Sequence, residues 1–508
     1  MKNYREAIGK KIIALRNKKN LTQTQLAKSV GTSQSAINRI EKGNQNLSLD
    51  MVAKLSQTLG ESIISVSSDK KDGFVIEGGK ELHGEITVNT SKNAAVALLC
   101  ASLLNSGKTT LKNIAKIEEV FRIIEVLKSI GVKITWTNNN KDLELAPPKH
   151  LKLDNLDLAA ARRTRTIIMF FGPLLHKFKS FRLPYAGGCS IGERTVEPHL
   201  NALKPFGLHV DAVCNSGFYE ATAEKVPAKD KKIVLIERGD TVTENALMAA
   251  ALSSYTTTIV GASPNYMVQD VCFFLEKLGV KIEGIGTTTL KITGVKEINQ
   301  DIDYYPSEDP IEAISFLSAG IATKSEITVK RVPIEFLEVE LEILKDMGQK
   351  FKISPEYLAD NGKTRLVDIT TKKSDLVAPK DKIHPMPFPG LNIDSLPFFS
   401  VICATARGRT LIHDWVYENR AIYSTDLSKL NATVQLLDAH RFFISGPTNW
   451  RPAELVAPPA LRPAVVILLA MLCAPGRSIL YNVYPIDRGY EDFSARLRSL
   501  GAHIQPIE

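Results

Sequence analysis

The sequence predicts an α/β body of six repeats, grouped as two domains of three, behind a small all-α basic domain. Three observations point there. A string of the form Leu-x-x-apolar-Gly, followed by alternating apolar residues, recurs through the body. The first 63 residues carry a helix-turn-helix pattern. The charge is lopsided: residues 1–70 hold 12 Lys+Arg against 5 Asp+Glu, whereas the remainder holds 52 against 50. With 508 residues, 44% hydrophobic and 23% charged, the chain has the balance of a multidomain globular protein rather than a disordered one.

In the N-terminal part, Ile8, Ile12, Ile13 and Leu15 give a first helix an inner face. Thr22 is placed to cap a helix carrying Leu26, Ala27 and Val30. Gly31 supplies a positive-φ turn, and Thr32 or Ser33 caps the next helix, pinned inward by Ile37 and Ile40. Ser33, Gln34, Ser35, Asn38 and Arg39 are left on its outer face, a polar surface of the kind that enters a major groove. The string T-Q-x-x-L-A…G-x-S-x-x-x-I-x-x-I-E-x-G resembles the Cro/C1 (XRE) helix-turn-helix family over about residues 6–62. That resemblance implies Gln23 as a phosphate contact and Ser33, Gln34, Ser35, Asn38 and Arg39 as base or backbone contacts. It also implies double-stranded DNA as the partner of residues 1–64 and a homodimer on two half-sites. A protein–protein module on the same scaffold is the other reading; the basic charge favours DNA. Residues 65–73, SVSSDKKDG, read as a linker.

Six copies make up the body: LKSIGVKI from Leu127, LKPFGLHV from Leu203, LEKLGVKI from Leu275, LKDMGQKF from Leu344, LSKLNATV from Leu427 and LRSLGAHI from Leu497. Their starts lie 76, 72, 69, 83 and 70 residues apart. Each predicts the end of an amphipathic helix, a left-handed cap and the start of a strand. Asn431 replaces the glycine in the fifth copy, and asparagine is the next-best residue there. Small-residue turns followed by β-rich runs, such as NSGKTTLKNI and APGRSILYNVY, precede most copies. The period is too long for the common solenoids.

The longest apolar run, AVVILLAMLCA at 464–474, fits a buried helix and is too short for a bilayer. The N-terminus lacks the apolar stretch of a signal peptide. A cytoplasmic protein without a membrane partner is expected. Six cysteines (100, 189, 214, 272, 403 and 473) include no C-x-x-C pair and read as free thiols. His199, His384 and His413 stand apart from any ligand cluster, and no dinucleotide fingerprint is present. No metal and no cofactor are expected.

Several charged residues stand at turns rather than on helix faces. The stretch PYAGGCSIGER, residues 184–194, sets Cys189 among glycines five residues ahead of Arg194. SKNAA, residues 91–95, puts Lys92 and Asn93 at the start of an apolar helix, a ready anion site. Arg165 lies in RRTRTIIMFFGP, Arg420 in YENRA, Arg462 in PALRPAV, Arg488 in PIDRGYED, and Asp394 in LNIDSLPFF. Each alone reads as a surface ion pair or a cap. Recurring at equivalent places in the repeats, they point to one shared site.

Residues 74–508 resemble the enolpyruvyl transferase family throughout, most strongly at GEITVNTSKNAA, GGCSIGERTVEPHL, TENALMAA, ENR and IDRGYE…LRSLGA. The cysteine loop selects the amino-sugar branch over the shikimate branch. The resemblance implies an inside-out α/β barrel of two domains, 92–306 and 74–91 plus 307–508, with the active site between them. It implies transfer of enolpyruvyl from phosphoenolpyruvate to the 3′-hydroxyl of UDP-N-acetylglucosamine, with release of phosphate. Lys92, Asn93, Arg194, Arg462 and Arg488 match positions that hold phosphoenolpyruvate, and Arg420 matches by its motif. Asp394 matches the acid/base carboxylate, Cys189 the proton donor and Lys92 a catalytic cation. For the nucleotide-sugar the matching residues are Asn93, Arg165, Arg194, Thr195, Val196, Glu197, Pro198, Asp394 and Val416.

The family pattern breaks in places. Glu118 and Glu119 stand where the family has Lys-Asp, Asn265 where it has Glu, and Ala460 where it has Asp. Residues 239–243, GDTVT, replace a nucleotide-touching S-V-G-A-T turn, while His199 is kept. The phosphoenolpyruvate side is intact and the sugar side altered. Three functions stay open: an active transferase carrying a DNA-binding domain, a transferase with another acceptor, and a transcriptional regulator whose body senses a nucleotide-sugar with little or no turnover.

Overall fold

The computed structural model describes residues 73–507 apart from 186–194 and 214–216. Of the first 72 it describes 21–43 and residues 9, 12, 13, 15, 16, 19, 45, 51, 54, 55 and 58. The chain divides into two compact units, before and after residue 73.

In the first unit the turn follows from local chemistry. Thr22 and Gln25 form a reciprocal capping box at the head of the helix Gln23–Val30, which Gly31 ends at φ 72°. Ser33 accepts the Ala36 N–H and starts the helix Gln34–Glu41. Ile12, Leu15, Leu26, Ala27, Val30, Ile37, Ile40 and Leu55 form a single core. The outer faces of the two helices remain polar.

In the second unit all six predicted caps are left-handed: Gly131, Gly207, Gly279, Gly348 and Gly501 at φ 89–101°, and Asn431 at 74°. The strand after each cap falls in a different sheet. These strands are Lys133–Thr137, Leu208–Val213, Lys281–Glu283, Phe351–Ile353, Thr433–Leu436 and His503–Pro506, and among the described residues the sheets number six. One expectation needs correction. The fifth copy does not end an α-helix: Arg420–Leu430 is a 3-10 run. The Thr425 hydroxyl donates there to the Ile422 carbonyl, a local bond that competes with the helical ladder. The second copy likewise closes on a short 3-10 turn, Lys204–Phe206.

Helices form the inside and sheets the outside. The helices Lys92–Ala101, Asp240–Ala251, Pro310–Ala322, Phe398–Thr405 and Leu461–Cys473 are buried almost all round, mostly by apolar residues, although Asp240–Ala251 also buries Thr243, Glu244 and Asn245 and Pro310–Ala322 buries Glu312. Strands such as Thr289–Thr293 alternate buried and exposed residues, one face on the helices and one in water. This is an inside-out α/β barrel. Among the described residues no helix is long and apolar enough to cross a membrane.

The body has two cores. One is built from residues 94–304 with Phe336; the other joins 74–88 to 311–504. The chain passes between the lobes twice, and the two crossings are clasped. Ser91 N–H donates to the Ser307 carbonyl (2.7 Å), and Asp309 N–H to the Asn89 carbonyl (2.9 Å). Asp309 also caps the helix Pro310–Ala322 and accepts the Lys92 N–H at 3.3 Å.

Candidate active site

Between the lobes lies a cleft of about 830 Å³, the size class of small-molecule sites. The buried helices starting at Lys92, Asp240, Tyr266 and Leu461 all present their first residues to it. Their positive dipole ends and first N–H groups therefore converge on one volume. The helix Leu461–Cys473 has no side-chain cap, because Ala460 offers no acceptor. Among the described residues no side chain caps its first N–H groups.

Asp394 is the centre of charge. It sits on the turn before the helix Phe398–Thr405, its side chain 26% exposed, 3.4 Å from Arg462 Nη2 and 3.7 Å from Arg420 Nη1. Burial alone would raise its pKa, but Arg462, Arg420 and Lys92 outweigh burial and hold the carboxyl below its ordinary range. It is a carboxylate at neutral pH, fixed between two guanidinium groups. Arg462 is itself buried, lies 5.1 Å from the Tyr490 ring centre, and its Nε has no hydrogen-bond partner among the described residues. An unpaired buried donor is costly unless a ligand meets it.

Arg420 is pinned rather than poised. Its Nη2 donates to the Ile393 carbonyl at 2.7 Å and to Asp414 at 2.9 Å, its Nε also meets Asp414, and it stacks 4.4 Å over Tyr417. Lys92 forms an ion pair with Glu119, one of the two glutamates that break the family pattern. Glu119 also accepts from Thr164 and Thr166 at 3.2 Å each. Burial pushes its pKa up, but Lys92, Arg488 and Thr166 bring it below the ordinary value. Glu118 is engaged by Arg163 at 2.8 Å and by Arg122 at 3.8 Å.

Across the cleft the walls are polar and partly acidic. Asp240 accepts from the Ser263 hydroxyl at 2.5 Å and from Asn265 at 3.3 Å. Asn93 Nδ2 donates to the Tyr266 hydroxyl at 3.0 Å. His199 is buried against Asn245 (3.2 Å) and Thr241 (3.4 Å), and burial with Arg165 nearby lowers its pKa to about 4, so it is neutral.

Of the residues singled out in the sequence, Lys92, Asn93, Arg165 and Arg488 line the cleft, as do Asp394, Val416, Arg420 and Arg462. Thr195 and Pro198 line it too, with Arg165 Nη2 reaching the Thr195 carbonyl at 3.3 Å. Val196 and Glu197 begin the adjacent helix Glu197–Leu203 and are not part of the lining. Cys189 and Arg194 lie outside the described residues. Sequence reasoning missed Arg122, Arg162 and Arg163 in the lining, and Asp414 behind Arg420. For Arg162 and Arg163 the signal was the R-R-x-R run; Asp414 carried none.

In the first unit Ser33, Gln34, Ser35 and Arg39 are exposed and Asn38 is half-buried, all on the face away from Ile37 and Ile40. Gln23 ties the two helices together, donating to Glu41 and accepting from Gln34, each at 2.6 Å; Arg16 Nε meets Glu41 at 2.6 Å.

Comparison with known proteins gives two family matches: EPSP synthase (3-phosphoshikimate 1-carboxyvinyltransferase) over residues 76–497, and a helix-turn-helix family over 12–65. A UDP-N-acetylglucosamine 1-carboxyvinyltransferase from Treponema denticola is 33% identical over 433 residues, 85% of this chain and 98% of that protein. One of the same name from Bacteroides thetaiotaomicron is 32% identical over 443 residues, covering 85% and 99%. Among solved structures, the enolpyruvyl transferase NikO from Streptomyces tendae superposes with a TM-score of 0.73 at 22% identity, covering 86% of this chain and all of that one. An EPSP synthase from Acinetobacter baumannii gives 0.69 at 18%, with the same coverage.

Proposed function

The chain belongs to the EPSP synthase family of enolpyruvyl transferases and carries a helix-turn-helix domain at its N-terminus, and from that premise we propose that its body transfers enolpyruvyl from phosphoenolpyruvate to the 3′-hydroxyl of UDP-N-acetylglucosamine. Residues 92–306 and 74–91 with 307–508 are the two catalytic domains. Residues 1–64 bind double-stranded DNA as a homodimer, joined by the linker 65–73.

The observation that carries this reading is the Arg462–Asp394–Arg420 cluster in the interlobe cleft. Phosphoenolpyruvate brings a phosphate and a carboxylate, which Arg462, Arg488 and Lys92 receive beside uncapped helix N–H groups. Asp394, ionised, takes the proton of the acceptor hydroxyl as its oxygen bonds to carbon 2. Carbon 3 gains a proton, from Cys189 by family resemblance. Loss of that proton and departure of phosphate restore the double bond. Asn93, Arg165, Thr195, Pro198 and Val416 lie where the nucleotide-sugar reaches this centre. Relatives that bear the name of this reaction, matched over nearly their whole length, support the acceptor.

The test is phosphate release by the purified full chain with both substrates. Asp394→Ala is expected to lower kcat by about 10²- to 10⁴-fold, and Cys189→Ser to abolish turnover while leaving nucleotide-sugar binding. Saturable binding of the nucleotide-sugar with no phosphate release by the wild type overturns the enzyme reading in favour of a ligand-sensing regulator, which the DNA-binding domain also fits.

A further inference from the structure

The helix Glu338–Asp346 turns an apolar face inward: Leu341 and Leu344 are buried, as is Leu337 just before it. Glu340 shares that face and is 1% exposed. Among the described residues it forms no ion pair with any lysine or arginine. Its Oε1 instead accepts the backbone N–H of Asn392 at 3.2 Å, from a segment remote in sequence. The Asn392 side chain accepts the Asp394 N–H at 2.9 Å, and the Asn392 carbonyl accepts the N–H groups of Ser395 and Leu396 at 3.1 Å each. The turn held this way carries the Asp394 carboxylate to Arg462 and Arg420.

A buried carboxyl without a cation is costly, and a leucine would fill this position without that cost. What a leucine could not supply is an acceptor for the Asn392 N–H. We propose that Glu340 is a positioning residue for the reaction: by gripping Asn392 it fixes the 392–395 turn, and with it the place of Asp394 between the two guanidinium groups. The proposal rests on the reading of Asp394 as the group that faces the acceptor hydroxyl. Burial pushes the Glu340 carboxyl up to about 7, consistent with a group kept for its oxygen rather than its charge. The Ser395 hydroxyl stands near enough to act on that charge, but its oxygen makes no hydrogen bond of standard geometry among the described residues.

The experiment uses the full chain as wild type, Glu340→Leu, Glu340→Gln and Asn392→Ala. It measures kcat and KM from phosphate release, and amide hydrogen exchange over residues 391–396. Glu340→Leu is expected to fold and melt no lower than wild type, to lose about 10- to 100-fold in kcat, and to keep its KM for phosphoenolpyruvate within about twofold, since only the turn bearing Asp394 has moved. The Asn392 amide should exchange about tenfold faster or more once its acceptor is gone. Glu340→Gln retains the oxygen and should stay within about threefold of wild type on both measures, because a neutral amide still accepts. Should Glu340→Leu fail to fold, Asn392→Ala breaks the next link and must show the same kcat loss. Wild-type kcat in Glu340→Leu, or in Asn392→Ala, overturns the proposal, as does a Gln variant as impaired as the Leu variant. If the wild type itself releases no phosphate, the proposed reaction fails separately. The exchange data then decide the Glu340 assignment alone, and unchanged exchange at 392–396 overturns it.

Discussion

Arg420 owes its place to Asp414. Both are about 95% or more buried, and the carboxylate takes the guanidinium through two of its nitrogens. Among the described residues, removing the acid leaves a buried cation held by the Ile393 carbonyl, the Tyr417 ring and the more distant Asp394. Asp414→Ala should therefore destabilise the body by about 3–5 kcal/mol, the usual result of breaking a buried pair from one side, read as a lower denaturation midpoint. A midpoint within about 0.5 kcal/mol of wild type would show that Arg420 is held by its stacking and carbonyl contacts instead. The arginine was legible in the sequence because YENRA sits at a turn; its partner was not. Nothing in LIHDWV distinguishes an acid that pairs six residues on from one that faces water. Lys92 was legible as a cation at a helix start, and Glu119 as a break in pattern, but their ion pair needed the fold to bring them together.

At the scale of elements, what was legible was what is local. A left-handed cap needs one residue type at one position, so six caps could be read from six short strings. Capping boxes and the Gly31 turn are local in the same way. The partners of the strands are not: Gly73–Gly78 pairs with Gly476–Tyr481 on one side and His503–Pro506 on the other, and no periodicity encodes that choice. The caps are also not equivalent. At Gly279 an added Cβ would meet nothing closer than Gln300 Nε2 at 3.6 Å, but at Gly207 it would lie 2.3 Å from the Glu224 carbonyl oxygen. Gly279→Ala should cost only the left-handed strain, about 1–2 kcal/mol. Gly207→Ala should cost clearly more, because backbone must move. Asn431 is more than a substitute glycine, since its Nδ2 donates to the Asn449 carbonyl at 2.7 Å. Asn431→Ala, losing bond and conformational tolerance together, should fall about 1 kcal/mol below Asn431→Gly. Equal unfolding midpoints for the two alanine glycine-replacements would show that the Glu224 segment yields freely.

Across the whole molecule, buried acids gather where the lobes are tied. Asp270 takes the Tyr304 hydroxyl and the Ser307 N–H at the return crossing. Glu312 takes the Asn89 N–H at 2.6 Å at the outward crossing and pairs with Arg496. With Glu340 they form a set of three carboxyls that burial raises to about 7, against ordinary values of 3.8 for Asp and 4.5 for Glu. An acid whose native pKa lies above its unfolded value holds extra protons in the native state between the two. Its contribution is complete below the unfolded pKa and is lost as pH rises through the native one. His176 and His199 act oppositely: burial lowers both from 6.5 to about 4, so stability grows as pH rises across that interval and is complete by its upper end. Above pH 6.5 these three carboxyls are still losing protons, Glu244 and Asp240, which burial also raises, act in the same direction, and the body should lose stability between pH 6.5 and 8 where most proteins are level. Tryptophan fluorescence in urea isolates the effect, because all three tryptophans, Trp136, Trp415 and Trp450, lie in the body. Glu340→Gln cannot ionise and should flatten part of the decline, ending more stable than wild type at pH 8 by an amount on the order of 2–3 kcal/mol. The two proteins should converge below about pH 4.5. Parallel pH curves for wild type and the glutamine variant would mean that Glu340 is charged in the native state at neutral pH and stabilised by a partner other than Asn392.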